Sequence, residues 1–95
     1  MQRTTYRFVL PHGYQSADGS LQKEGEMHKG SAKEEVRAMM DPRAQEQEGF
    51  GFLLLLASVI ERLGTLTQVD ETIIASLSKE DLDYLKEQYR IINEG

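Results

Sequence analysis

Ninety-five residues carry eleven Lys and Arg against sixteen Asp and Glu, a formal net charge of −5, and no cysteine. This length suits one small domain with a limited core, 1–95, and the lack of Cys excludes disulfides, thiol nucleophiles and thiolate metal sites. The acidic balance argues against DNA or RNA as a partner, since phosphate binding leans on clustered Lys and Arg. The charge is uneven: residues 1–40 hold six basic and five acidic groups, net +1, and residues 41–95 hold five and eleven, net −6. The first ten residues lack the continuous apolar core of a signal peptide. The longest apolar run, Phe50 to Ile60, is 11 residues long. A bilayer span needs about 20. A cytoplasmic protein without a membrane partner is the expectation.

From the N-terminus, Tyr6, Phe8 and Leu10 share one parity, which puts them on one face of a strand with Arg7 opposite. Pro11 lacks an N–H and is expected to end the ladder. Asp18-Gly19-Ser20 reads as a turn, and a weaker strand follows from Leu21 to Met27. Residues 1–30 thus predict a β-hairpin, which is marginal alone and must pack on helices or on another chain.

Residues 31–95 read as helical. Ser31-Ala32-Lys33-Glu34 has the form of a capping box and opens a helix to about Met40, with Val36, Met39 and Met40 as its apolar stripe. Asp41-Pro42 restarts the chain as N-cap and first helical residue. A helix is predicted from Phe50 to Leu63, with Gly64 in the position that terminates it. This helix is apolar on nearly every side, so it is either central to the domain or covered in part by a partner. Asp70 suits a cap for a helix carrying Ile73, Ile74 and Leu77. Ser78 opens a last helix in which Leu82, Leu85, Tyr89 and Ile92 recur at intervals of three and four. Lys86 and Arg90 sit toward its end, where cations complement the dipole. The expected class is α+β, an N-terminal β-hairpin followed by a small bundle of three to four helices.

Reactive chemistry is sparse. His12 and His28 have no His-Glu-x-x-His spacing, so a surface or turn role is expected for both. Glycines 13, 19, 25 and 30 lack the phosphate-loop pattern and read as turn residues. Asp81 and Asp83 point in different directions on a helix, and with Asp70-Glu71 they read as solvated helix ends. No calcium loop or Gly-x-Ser-x-Gly elbow is present. No catalytic residue, cofactor or metal is expected. The Phe50–Ile60 run, the Met39-Met40 pair and the final stripe remain as binding candidates or as plain core.

The order of the motifs resembles the tail assembly chaperones of contractile-tailed bacteriophages, of the Mu-like and P2-like group. Phe8-Val9-Leu10-Pro11-His12-Gly13-Tyr14, then Asp18-Gly19, Leu21, Gly25 and Met27, resemble the family's opening. Asp41-Pro42-Arg43, Val59-Ile60-Glu61-Arg62-Leu63-Gly64 and Asp81-Leu82-Asp83-Tyr84-Leu85 follow in family order, on to Tyr89, Ile92 and Asn93. The chain departs from the family in its charged stretch His28 to Val36, and in Glu48-Gly49-Phe50-Gly51, where a Pro-containing turn is common. The resemblance implies a non-catalytic protein that binds the tape measure protein, and in longer frameshifted forms the tail tube protein. It also implies absence from the mature particle. The contacts expected to serve this are Phe50, Phe52, Leu53, Leu56, Tyr84, Leu85 and Tyr89. The alternative is a structural subunit retained in a tail or tail-like particle, its hairpin pairing with a neighbour's edge strand. Self-association is compatible with either.

Overall fold

The computed structural model describes residues 4–94. In chain order they form β1 (Thr5–Gln15), β2 (Leu21–His28), α1 (Ala32–Met40), α2 (Pro42–Glu46), α3 (Phe50–Val59), β3 (Ile60–Leu63), α4 (Glu71–Ala75) and α5 (Lys79–Glu94). The class is α+β, as expected: an N-terminal antiparallel hairpin followed by helices, of which α2 and α4 have only five residues each.

The hairpin follows from local chemistry. Parity puts Phe8 and Leu10 inward, 2% and 1% exposed, whereas Tyr6 at the strand's start remains 39% exposed. Gly19 takes a positive φ of 87°, and the Asp18 carboxylate accepts from the Ser20 amide at 2.9 Å. Hydrogen bonds from Ser20 and then Ser16 pull the Asp18 carboxyl down to about 2. Gly25 lies opposite Phe8 in the ladder, and a Cβ there would run into the Arg62 carbonyl and the Phe8 ring. Gly25→Ala is therefore expected to cost about 1–3 kcal/mol, the usual range for overpacking, read from urea unfolding.

Two expectations about backbone need correction. Pro11 does not end the strand. The pairing shifts register between Val9 and Tyr14, so the missing N–H falls in a bulge and the ladder resumes to Gln15. The third central helix does not reach Leu63 either. It stops at Val59, and Ile60–Leu63 becomes β3, antiparallel to β2 in a sheet of order β1-β2-β3. Gly64, with φ of 60°, thus ends a strand rather than a helix. The cause is tertiary: β2 offers an open edge, and β-branched Val59 and Ile60 suit either conformation.

The helical caps form as the local signals require. Ser31 accepts from the Glu34 amide at 3.1 Å and Glu34 accepts from the Ser31 amide at 3.0 Å, a complete capping box. Asp41 caps α2 and Asp70 caps α4 through their carboxylates. Arg43 joins these elements, reaching Glu71 at 2.7 Å and Asp41 at 3.1 Å while lying over the Phe50 ring.

Helix α3 is central: it packs against α1, α2, α4, α5 and β3. Its Leu55, Leu56 and Val59 join Phe8, Leu10, Met27, Leu63, Ile74 and Leu85 in one buried cluster. Helix α5 lies on β1, and Asp81 is the polar pin between them. Fully buried, it accepts from the backbone amides of His12 and Gly13, both at 2.9 Å. The expectation of a solvated helix end is wrong for this residue, because the β1 bulge points two unpaired amides at it. The surface role expected for His28 is also corrected. At 3% exposure, its ring lies between Glu34 and Glu61. His12 does stay at the surface, 3.1 Å from Glu80.

Several carboxylates are held ionised by their partners. Hydrogen bonds from Arg43 lower both Asp41 and Glu71, one from Arg62 lowers Glu26, and one from Lys79 lowers Asp83. Groups depressed on folding contribute stability above their unfolded pKa and lose it as pH falls through the folded value. These carboxylates are therefore expected to make the melting temperature fall as pH drops below about 5, checked by thermal scans from there downward.

Candidate functional site: an apolar groove

Helix α1 presents its large side chains outward. Val36, Met39 and Met40 share one helical face, and they remain 60%, 50% and 72% exposed. The helix turns its small residue inward instead: Ala38 is its single buried side chain. A small inward residue lets α1 approach α3 closely, and Gly51 on α3 meets Met39 and Ala44 at that contact. The large apolar side chains are thus left at the mouth of a groove of ≈ 430 Å³ whose floor is Phe52, Leu55 and Tyr89.

Phe52 and Tyr89 form an edge-to-face pair with centroids 5.7 Å apart. The Tyr89 hydroxyl donates to Glu35 on α1 at 2.5 Å, which ties the two sides of the groove together. Burial, then the Glu35 carboxylate, raises the Tyr89 pKa, so this phenol is a donor at all physiological pH. Phe52 and Tyr89 also border a second hollow of ≈ 520 Å³ along α5, continuing the apolar floor past Lys86 and Asn93. The Lys86 ammonium stands 5.7 Å from the centroid of the Phe52 ring. Asp83, Glu87 and Glu94 stand on the rim with Lys86 and Arg90, and Arg90 is already engaged by Glu87 and Glu94. With Glu35 at the other end, acidic groups outnumber basic ones around the opening.

The seven residues singled out from the sequence fall into distinct places. Phe52 and Tyr89 floor the groove. Phe50 lies half-buried under Arg43, its ring centroid 5.2 Å from the guanidinium carbon. Leu53 is packed partly buried against the core. The Tyr84 hydroxyl accepts from the Val9 amide at 3.0 Å and helps dock α5 on β1. Leu56 and Leu85 are 0% and 1% exposed, so they support the groove from beneath and offer no surface. Val36 and Glu35 complete the groove without having been singled out. Their signal was the Val36, Met39, Met40 stripe opposite a lone Ala38, a helix whose bulky face has no core to enter.

Among the described residues no three His, Asp or Glu side chains converge as a metal site, and no helix is long and apolar enough to cross a membrane. The groove combines an apolar lining with an acidic surplus at its rim. No family model, curated protein or solved structure matches this chain.

Proposed function

We propose that this chain is a non-catalytic tail assembly chaperone that binds a helical segment of a phage tape measure protein and keeps it soluble before the tail tube forms. The family resemblance supplies the identity of the partner. The observation that carries the binding mode is the exposed Val36, Met39 and Met40 face beside half-buried Phe52 and buried Tyr89. An amphipathic helix laid in such a groove buries its apolar stripe, and adaptable methionines accept related but non-identical stripes. The acidic surplus at the rim favours Lys or Arg flanking that stripe and keeps the complex soluble. Affinity is moderate in this reading, since the chaperone leaves when the tube polymerises.

The rival, a structural subunit joined through its hairpin edge, has less support. The amides of Val9, His12 and Gly13 on β1 are taken by Tyr84 and Asp81, and β3 is bridged on to Leu66. Co-expression with a tape measure protein of a contractile-tailed phage tests the proposal. The expected result is a shift of that protein into the soluble fraction, together with absence of this chain from purified particles. An equally insoluble partner, or stoichiometric presence in particles, overturns it.

A further inference from the structure

Helix α1 is one wall of the groove, yet of its nine residues only Ala38 is buried. Packing alone holds such a helix weakly, so polar tethers decide where it sits. Two lie in its first turn. One is the Tyr89 bond to Glu35. The other runs through Glu34, which accepts from the Ser31 amide with one oxygen and contacts His28 Nε2 at 2.8 Å with the other.

His28 is buried at the end of β2, and its remaining ring nitrogen, Nδ1, lies 2.5 Å from Glu61 of β3. An ionised carboxylate only accepts. A ring facing one with each nitrogen has to donate from both, and only the imidazolium does so. Burial alone would raise the Glu34 pKa, but hydrogen bonds from His28 and Ser31 take it below its ordinary 4.5. Lys29 beside the ring, and Lys33 and Arg37 of α1, line the same cleft with Tyr6 of β1. These cations oppose a charge on the ring, and the two carboxylates in hydrogen-bond contact favour it. His28, Lys29 and Glu61 each make a further contact.

We infer that His28 is a proton-operated clasp on the groove. With both nitrogens protonated it ties α1 to β2 and β3. On loss of one proton Nδ1 keeps its hydrogen on Glu61, the shorter of the two contacts, Nε2 is left without one toward Glu34, and the first turn of α1 is released. The consequence for a bound helix rests on the chaperone reading. The clasp itself does not.

Amide exchange on the full chain, without partner, tests it at about pH 5.5 and about pH 8, corrected for intrinsic exchange. Protection in α1 is expected to fall about tenfold at the higher pH, the effect of losing one charge-assisted hydrogen bond, while α5 keeps its protection. In Glu61→Gln the amide donates to the neutral ring and Nε2–H still serves Glu34, so the pH dependence is expected to vanish. Equal protection of wild-type α1 at both pH values overturns the clasp. So does a fall spread evenly over the chain, or one of the same size in Glu61→Gln. Should that variant fail to fold, the wild-type comparison decides alone. Failure here leaves the co-expression result standing, and failure there leaves the clasp standing.

Discussion

Replacing Asp81 with alanine is expected to be among the most destabilising single changes outside the apolar core. The carboxylate is 0% exposed and accepts from two backbone amides that have no partner in the β1–β2 ladder, each at 2.9 Å. Removing it strands both donors of the β1 bulge, and an unsatisfied buried donor costs about 1–3 kcal/mol. Both amides are only partly buried and gain some water, so a total of about 3 kcal/mol is expected rather than the sum of the extremes. In a domain of this size that lowers the melting temperature by about 12–24 °C. Asp81→Asn is expected to recover little, because its NH2 group meets an N–H where an acceptor is needed. Thermal unfolding followed by circular dichroism measures both variants. A loss below about 1 kcal/mol for Asp81→Ala would mean the pin contributes no more than a surface contact.

The second large effect separates binding from folding. Val36→Glu combined with Met40→Glu changes two side chains that are 60% and 72% exposed. Stability is therefore expected to move by no more than about 0.5 kcal/mol. Under the proposed function the same pair places charge where an apolar stripe should lie, and a central contact of that kind is worth about 2 kcal/mol or more. Partner affinity should fall about thirtyfold or more, and rescue of the partner's solubility should be lost. Leu56→Asp is the contrasting control. It buries an unpaired charge at a fully enclosed site and is expected to unfold the chain, taking binding with it. Full rescue by the folded double variant would remove the groove from the mechanism.

What could be read from the sequence was mostly local. The parity of Phe8 and Leu10, the Ser31–Glu34 box, the Asp41 and Asp70 caps and the Leu85, Tyr89 stripe each depend on neighbours a few residues away, and each formed. What stayed hidden was set by distant partners. Asp81 looks like a solvated first-turn acid until amides 68 and 69 residues away meet it. His28 looks like a turn residue until α1 and β3 close over it. Ile60 to Leu63 continue a helical apolar pattern, and only the vacant edge of β2 makes them a strand. The groove was half legible. Its aromatic floor lay in the singled-out set, but helical spacing cannot say whether the Val36, Met39, Met40 stripe faces in or out. The size of Ala38 decides that, by letting the helix sit down on its small side.

The middle strand of the sheet has consequences for how the chain emerges during synthesis. β2 is flanked by β1, made just before it, and by β3, which follows α3 and begins only at Ile60. A translating ribosome adding about 5–20 residues per second leaves the hairpin with one edge open for seconds. Two strands without a third are marginal in water, so the sheet and the central helix have to be completed together. A fragment stopping before Ile60 is thus left with an unpaired edge and an uncovered apolar helix, a species prone to pairing with its own copies.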